Sequence, residues 1–550
     1  MSDINSALKK YRYHYIIIVA YALVTHGLLL LNDGVYWDDW LLHTNWSNLY
    51  SLFAGSGGIP TTAYFHWLMG YLPHTIFCYK LVAFLSITFS GILVYSICNE
   101  LKFTSRTESL FVALLSLSYP AFQVSMASIN TPSPFYYFVF LLACFLALRS
   151  ERKSGVPRYS LRVGALALWF LSFTVNSLLV FYYGFLLVLI LQAKQSQNMS
   201  VKHVFTKFLL RRLDYVLLPV LYWVVARVFF PHYGLNSDEN QFSLSLLGIT
   251  SVYETFIKNA IYAQTSIAVK NMLVYPTIFL SLGLLAVIWI CSIILSRTRN
   301  LPSPKVATRT FLFFGVVLLA LGIFPYAAVG KAASVHEWET RHALLVALPM
   351  AVIFVGLTRP LLANKSAYLS RLGLLCLMIL LLAFTLSSIS NYFSWQARWV
   401  KDQSIMQNLA MTENADEISV FWVDDQFQVG GDRLYRFYEW ASIFKSVWGN
   451  ESHIGLDPSF HTSDFLTNGK RYFIESYNLS EFDPNGCQGI LTIRAGASSN
   501  VSIFSMSTKY LYYRFFNRDM LEPYLKEVTD LEIQRIEAPE ATNCLEQMSK

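Results

Sequence analysis

The apolar run YIIIVAYALVTHGLLLL (residues 15–31), followed at once by NDGVYWDDW (residues 32–40), decides how the chain folds. The run carries no charged residue, and it is close to the roughly 20 apolar helical residues that cross a bilayer core. Lys9, Lys10 and Arg12 precede it, and no small-residue cleavage site follows it. The pattern therefore predicts a first transmembrane helix and not a cleaved signal peptide.

The composition extends this interpretation to the whole chain. Of the 550 residues, 54% are hydrophobic, 16% are aromatic and 14% are charged, and the mean hydropathy is +0.41. A soluble domain carries about 25% charged residues. These values exclude a soluble enzyme, a disordered chain and a fibrous protein, and they predict a polytopic membrane protein. The net charge of +7 does not indicate a nucleic-acid partner, because the basic residues lie in short loops between apolar runs.

The apolar segments predict an all-α membrane bundle of about eleven spans. We count the segment 163–192 as two spans, a hairpin broken near Asn176 and Ser177. Basic residues flank this segment on both sides, and a single span would place them on opposite faces of the membrane, against the positive-inside rule. The predicted spans are approximately 15–31, 75–98, 107–122, 134–149, the pair in 163–192, 213–230, 273–296, 310–329, 343–358 and 372–391.

The loop charges orient the bundle. Nearly all loop lysines and arginines fall in alternate loops, beginning with the N-terminus. The basic residues in the short loops of the other side are Lys258, Lys270, Lys331 and Arg341. This bias predicts a cytoplasmic N-terminus, with loop 32–74 and residues 392–550 on the outer side. We expect a bacterial inner membrane, with the C-terminal part in the periplasm.

The chain is predicted to divide into a membrane domain, residues 1–391, and an extracytoplasmic C-terminal domain, residues 392–550. The C-terminal part is long enough for one domain. Its patterns alternate between helix and strand, which predicts a small α+β domain. Helices are predicted over Trp395 to Met411 and Asp432 to Trp448, and strands over Ile418 to Val423, Arg471 to Glu475 and Ile490 to Arg494.

The first outer loop carries the candidate acid–base chemistry. Asp33, Asp38 and Asp39 fall within seven residues, and loop 32–74 contains no lysine or arginine. Ionised carboxylates that lie close together repel each other, which raises the pKa of at least one of them and suits a general base or a metal ligand. Alternatively, an aspartate caps the following helix and the flanking tryptophans anchor the membrane interface. The loop holds enough acids and histidines for one divalent ion but shows no ligand geometry, so a metal cofactor stays open.

Basic residues elsewhere are candidates for binding an anion. Arg227 lies near the outer end of its predicted span, where it either snorkels to the headgroups or binds a lipid phosphate from inside the bundle. The last short outer loop holds Lys331, Glu337, Arg341 and His342. Cations placed there would bind an anionic headgroup and stabilise a phosphate leaving group. The alternative is a salt-linked surface loop.

An acidic pair after the first span, Asp38 and Asp39 in YWDDW, with amphipathic helices behind it, resembles the GT-C superfamily of integral-membrane glycosyltransferases. This superfamily includes the bacterial aminoarabinose transferase, protein O-mannosyltransferases and serotype-converting glucosyltransferases. The resemblance covers the membrane domain. Its supporting features are the loop with Pro132 and Pro134, the hairpin in 163–192 and the late basic loop that ends in Arg341 and His342.

The resemblance implies transfer of a sugar from a polyprenyl-phosphate sugar to a hydroxyl of a cell-surface glycan or lipid-linked acceptor, on the outer face and usually with inversion. It implies a carboxylate as the general base. Of the two acids we assign this role to Asp38, with Asp39 positioning the acceptor or supporting the base. The residues implied to bind the donor phosphate are Arg341, His342, Lys331 and Arg227. The residues implied to bind the acceptor or the sugar are Trp37, Trp40, His66 and Glu337. The implied partners are the donor, the glycan acceptor and membrane lipids.

Two other functions stay open on the sequence. An O-antigen polymerase or ligase also uses polyprenyl-linked sugars, but typically relies on basic residues in large outer loops. A flippase or transporter of lipid-linked sugars is expected to show charges along a path through the membrane and an inverted repeat. The sequence shows few such charges and no repeat, which favours the transferase.

Overall fold

A computed structural model describes most of the chain. The described residues are 2–44, 49–55, 58–197, 212–231, 245–274, 283, 286, 290, 306–335, 338–364, 366–429, 434–450, 452–459, 486–499 and 502–536. Among them, six helical segments are long and apolar enough to cross a membrane: Tyr13–Leu31, Thr75–Leu101, Ser128–Ser150, Thr308–Ala327, Trp338–Leu362 and Tyr368–Leu409. The protein is therefore a helical membrane protein, and the predicted number of eleven spans is not confirmed.

The other predicted spans have different outcomes. The segment 163–192 forms two helices, Gly155–Ser172 and Ser177–Gln197. The two helices are in contact near the break between them, where the ring centroids of Trp169 and Tyr182 lie 4.8 Å apart. The segment 213–230 forms the 17-residue helix Leu213–Phe229. Most of the predicted span 273–296 lies outside the described residues.

The helix that replaces the predicted span 107–122 is too short to cross a bilayer. It runs over 13 residues, Arg106–Ser118, which is about 20 Å at 1.5 Å per residue, against about 30 Å of hydrocarbon. Pro120 explains its end, since a residue before proline is driven out of the helical region and Tyr119 is extended (ψ 135°). The helix is almost wholly buried inside the bundle.

Short helices fill the loops between the long ones. Three of them, Asp39–Thr44, Leu49–Gly55 and Thr61–Gly70, lie in the loop after the first span. Further along the chain, Leu246–Thr255, a π-helical turn Phe256–Ala263 and Gln264–Val274 run on from one another.

One long helix connects the membrane bundle to the C-terminal domain. It runs without interruption over 43 residues, Ala367–Leu409, about 64 Å, which is roughly twice the hydrocarbon thickness. It contains both the predicted span 372–391 and the predicted helix that begins at Trp395, so the predicted boundary at residue 391 falls inside a helix. Arg398, Lys401 and Asp402 lie buried on its second half.

The C-terminal domain is a four-stranded mixed sheet with helices, as the α+β pattern predicts. The strands are β1 (Val420–Asp425), β2 (Ile454–Leu456), β3 (Gln488–Ala495) and β4 (Thr529–Ile536), in the order β2-β1-β3-β4. β1 pairs in parallel with β2 and β3, and β4 is antiparallel to β3. β1 and β3 confirm two predicted strands, whereas Arg471 to Glu475 lies outside the described residues. The accompanying helices are Phe437–Trp448, Ile503–Phe516 and Leu521–Lys526.

Charged side chains buried between the long helix and the C-terminal domain pair with one another. Arg398 lies 3.3 Å from Glu439, and Lys401 lies 2.6 Å from Asp425. Buried ions that lack partners cost several kcal/mol each, so these pairs make the domain part of the bundle's own fold. The domain is thereby fixed over the end of the bundle at which the first span ends.

Candidate functional site

The three carboxylates of the acidic motif (residues 32–40) each contact a different part of the fold. Asp33 is paired with Arg514 at 2.9 Å and accepts a hydrogen bond from the Tyr510 hydroxyl at 2.9 Å. Asp38 accepts a hydrogen bond from the Tyr438 hydroxyl at 2.5 Å. Tyr438, Tyr510 and Arg514 all belong to the C-terminal domain, so this domain lies directly against the motif.

Asp39 is fixed by backbone groups. It is 1% exposed and begins the helix Asp39–Thr44. Its two oxygens accept hydrogen bonds from three backbone N–H groups, those of Tyr36 at 3.2 Å, Ser128 at 2.8 Å and Ile129 at 2.6 Å. Asp39 therefore joins its own motif to the loop before the helix Pro132–Ser150. This geometry is that of a positioning residue.

The pKa of Asp39 is raised, as the sequence predicts, but the cause is burial and not repulsion between carboxylates. Burial raises the pKa of Asp39 to about 6, whereas the charge of Lys80 and the three N–H groups lower it. Repulsion from neighbouring carboxylates is not among the causes. Lys80 lies fully buried near the start of the helix Thr75–Leu101, and its ammonium donates to the carbonyl of Met126.

Lys80 and Arg514, two cations that lie close to the motif, come from outside loop 32–74. Lys80 lies six residues beyond that loop, and Arg514 is in the C-terminal domain. The absence of basic residues in the loop therefore does not leave its acids without cations. Lys80 had a signal in the sequence, since a lone cation in an apolar span is a candidate functional group by default. No signal in the sequence pointed to Arg514, because nearly five hundred residues separate it from Asp33.

Asp38 remains the carboxylate best placed for chemistry. It is half-buried, at the junction between the motif and the helix Phe437–Trp448. A half-buried carboxylate beside a phenol is suited to accept a proton.

The predicted sugar-binding residues are buried or lie outside the described residues. Trp37 and Trp40 are both 3% exposed. The ring of Trp37 lies 4.6 Å from that of Trp395 and 5.3 Å from that of Trp338, and Trp40 lies 6.1 Å from Trp399. Neither indole therefore presents an open face in this conformation.

His66 and Glu337 complete the predicted set. His66 is fully buried, hydrogen-bonded through Nδ1 to the Tyr79 hydroxyl at 2.8 Å and stacked on Phe53 at 4.6 Å. Burial lowers the pKa of His66 to about 3, so the ring is neutral and has the surroundings of a core residue. Glu337 lies outside the described residues.

Trp37 has a strained backbone. Its φ is +54°, in the left-handed region that bulky side chains rarely adopt. Such strain persists only where the surroundings enforce it, and it clusters at functional sites. The hydrogen bonds that fix Asp39, two residues further on, and the indole contacts with Trp338 and Trp395 provide that enforcement.

The four predicted phosphate-binding residues line one cavity. Arg227, Lys331, Arg341 and His342 surround a volume of about 620 Å³, which we call the basic cavity. The sequence predicted these residues individually, and the fold brings them together from two helices and a loop. Among its described lining residues there is no aspartate or glutamate, and the polar ones are Ser133, Thr174, Asn176 and Ser177. The basic cavity therefore presents a positive field to an anion.

Two side chains of the basic cavity are held by their neighbours. The guanidinium of Arg341 lies 4.1 Å from the centre of the Trp338 ring. Nδ1 of His342 donates to the carbonyl of Ala332 at 2.7 Å, because a carbonyl oxygen only accepts. Nε2 of the histidine is then the ring atom left to meet a ligand.

The basic cavity opens between apolar side chains of three apolar helices. Its lining includes Tyr183, Val220, Trp223 and Phe324. These belong to Ser177–Gln197, Leu213–Phe229 and Thr308–Ala327. Val220 is 51% exposed and Trp223 is 50% exposed, on a surface that a bilayer would cover. A molecule with a charged head and an apolar tail fits this arrangement.

The helices Ser177–Gln197 and Thr308–Ala327 approach each other closely, since a Cβ added at Gly184 would lie 2.4 Å from Leu318 Cδ2. A second, smaller cavity of about 80 Å³ is lined largely by apolar residues, including Phe185 and Leu318 of these two helices. For an apolar chain attached to a head in the basic cavity, the exposed side chains of Val220 and Trp223 offer a sideways path.

Two indoles connect the acidic motif with the basic cavity. Trp37, next to Asp38, packs on Trp338, and the guanidinium of Arg341 lies over the Trp338 ring. Ser133, close to the backbone groups that hold Asp39, also lines the cavity. Asp38 itself is not among the described lining residues. Acid and cations are thus neighbours at one end of the bundle, separated by the Trp37–Trp338 pair.

In the part of the chain that the structure describes, no group of three or more histidine, cysteine, aspartate or glutamate side chains lies close enough together to hold an ion.

Similarity to known proteins identifies no family for this chain. Comparisons with protein-family models, with curated proteins and with solved structures found no match. The resemblance to membrane glycosyltransferases therefore rests on the residues of the chain itself.

Proposed function

We propose that this protein is a membrane glycosyltransferase that moves a sugar from a polyprenyl-phosphate sugar to a hydroxyl of a glycan or lipid-linked acceptor. The observation that carries the proposal is the basic cavity. It combines Arg227, Lys331, Arg341 and His342 with a rim of apolar helix side chains. A phosphate head and an isoprenoid tail match those two features. In this proposal the protein lies in a bacterial inner membrane, with a cytoplasmic N-terminus and the site on the periplasmic side.

The proposed reaction needs one base and one anion-binding site. The acceptor oxygen attacks C1 of the sugar, its proton passes to Asp38, and the bond from C1 to the phosphate oxygen breaks. Attack from the side opposite the phosphate inverts C1. The polyprenyl phosphate leaves as an anion, which Arg341, Lys331 and Arg227 would stabilise without a general acid. Asp39 would hold the motif in place beside Asp38.

The proposal requires the site to open. An acceptor hydroxyl has to reach Asp38 while the donor phosphate occupies the basic cavity, and the Trp37–Trp338 pair separates the two. We propose that these rings part when both substrates bind, and that the indole faces then contact the sugar. The strained backbone of Trp37 lowers the cost of that rearrangement.

Removing the guanidinium of Arg341 is expected to weaken donor use. In the variant Arg341→Ala, we expect the KM for the polyprenyl-phosphate sugar to rise by about tenfold to a hundredfold, because a hydrogen bond to a charged group contributes about 1.5–3 kcal/mol. The measurement is the initial rate of sugar transfer against donor concentration, with the full-length protein in vesicles.

The matched control for Arg341→Ala is Lys526→Ala. Lys526 is an exposed cation of the C-terminal domain, paired with Glu522 at 2.9 Å, and it is not among the residues that line the basic cavity. Its removal is expected to leave the donor KM unchanged. An Arg341→Ala enzyme with the donor KM of the wild type would remove this arginine from the donor site.

A second enzymatic function also fits one observation. The cations line the basic cavity, whereas no acid does among its described lining residues, and a polymerase or ligase of polyprenyl-linked glycans relies on basic residues. Such an enzyme would not need Asp38. A flippase for lipid-linked sugars would share the lateral opening, but it would leave the sugar on its lipid. The Asp38→Asn variant distinguishes the transferase from a polymerase or ligase. The fate of labelled sugar distinguishes it from a flippase.

A further inference from the structure

The helix Ile503–Phe516 of the C-terminal domain, which we call the boundary helix, is held at both ends against membrane helices. Near its start, the Ser507 hydroxyl donates to the carbonyl of Phe393 at 2.8 Å, and the ring of Phe504 lies 4.7 Å from that of Phe393. Near its end, Arg514 donates to the carbonyl of Leu31 at 2.9 Å.

Both contacts lie level with the end of the first candidate span. Leu31 is the last residue of the first candidate span. Cross-contacts put that point level with the middle of the long helix, since the Asn32 amide donates to Gln396 at 2.9 Å and the Tyr36 hydroxyl donates to the carbonyl of Trp395 at 2.8 Å. Phe393 lies within one helical turn of these residues. A helix tied to the same level at its two ends lies along the membrane plane.

The uncovered face of the boundary helix is aromatic. Tyr512 is 55% exposed, Phe515 is 51% exposed and Phe516 is 80% exposed. Their spacing of three and four residues places them on one face, and the rings of Tyr512 and Phe516 stack at 5.9 Å. Met520, in the turn that follows, is also exposed. Arg518 adds an exposed cation to the same end.

We propose that this aromatic face inserts into the headgroup region of the bilayer, so that the boundary helix anchors the C-terminal domain to the membrane surface. The partner is the lipid itself. Aromatic side chains concentrate at the membrane–water interface, and helices that lie there present aromatic residues to the lipid and basic residues to the water. In water, a contiguous patch of this kind would be costly. The inference does not depend on the proposed function.

A photoreactive residue tests the contact with lipid. p-Benzoylphenylalanine replaces Phe516 in the full-length protein, reconstituted in vesicles of phosphatidylethanolamine and phosphatidylglycerol. A positive control carries it at Val228, which is 64% exposed on the apolar helix Leu213–Phe229, and a negative control at Asp530, exposed on β4. After illumination, we expect lipid adducts by mass spectrometry at 516 and 228, and none at 530.

Two results would overturn the proposal. One is the absence of lipid adducts at position 516 while position 228 is labelled, and the other is a cross-link from 516 to a second copy of the chain. The wild-type protein in vesicles that contain a diazirine lipid repeats the test without any substitution. There, adducts are expected on the peptide that contains residues 512–520, and their absence from this peptide would contradict the anchor.

Discussion

Replacing Asp38 by Asn is expected to lower kcat for sugar transfer by about 10²- to 10⁴-fold, the contribution of a positioned general base. An amide cannot accept the acceptor's proton, but its oxygen can still accept the hydrogen bond that Tyr438 now donates at 2.5 Å. The variant is therefore expected to keep the melting temperature and the donor binding of the wild type. The measurement is single-turnover transfer from a labelled polyprenyl-phosphate sugar.

The matched control is Tyr438→Phe. It removes the hydrogen bond between Tyr438 and Asp38 from the other side and leaves the carboxylate in place. If Asp38 acts as the base, Tyr438→Phe retains most of the transfer rate whereas Asp38→Asn does not. Equal losses in the two variants would assign Asp38 to holding the C-terminal domain, and full activity of Asp38→Asn would exclude it as the base.

Replacing Asp39 by Ala is expected to destabilise the fold by about 3–5 kcal/mol, the cost of breaking a buried charge interaction by removing one side. The substitution leaves the N–H groups of Ser128, Ile129 and Tyr36 without the acceptor that they now share. It also removes the larger charge effect on the buried ammonium of Lys80, since the charge of Asp39 acts on it more strongly than that of Asp33. The readout is the melting temperature of the detergent-solubilised protein.

The double variant Asp39→Ala with Lys80→Met serves as the control for the charge. Removing the cation that Asp39 compensates is expected to restore part of the lost melting temperature, because the two residues are coupled. The Asp38→Asn variant, one residue away, is expected to melt as the wild type does. If Asp39→Ala leaves the melting temperature unchanged, Asp39 is not the residue that fixes the motif.

Together these variants distinguish the roles of the two neighbouring acids, Asp38 and Asp39, which have different surroundings. Asp39 is fully buried and its oxygens are occupied by backbone groups, so its loss is read in stability. Asp38 is half-buried, accepts a hydrogen bond from the Tyr438 hydroxyl and is the proposed base, so its loss is read in the transfer rate. The sequence alone placed both acids in one motif, and the order of their roles was a hypothesis that nothing in the motif decided.

Local patterns predicted much of the membrane part of the fold. The first span and the hairpin around Asn176 follow from apolar runs and from loop charge, which are properties of neighbouring residues. Pro120 is a local signal for the end of the helix Arg106–Ser118. The high hydropathy of residues 107–122 nevertheless predicted a longer helix that spans the membrane. A buried helix inside a bundle and a membrane span have the same composition, so length decides between them.

Contacts between distant segments were beyond the sequence. The polar side chains Arg398 and Lys401 look exposed in the pattern of the long helix, and they are buried only because Glu439 and Asp425 meet them. The same limit applies to the site. The basic residues were predicted from charge near the ends of predicted spans. The contacts of Tyr438 with Asp38 and of Trp338 with Arg341 are seen only in the folded structure.

Transfer of sugar from a labelled polyprenyl-phosphate sugar is the most direct measurement of the proposed activity. Membranes that contain the wild-type protein are expected to move the label from the lipid fraction to the glycan fraction, and membranes with Asp38→Asn are expected not to do so. Label that stays on its lipid, or crosses the bilayer still attached to it, in both membranes would contradict a glycosyltransferase.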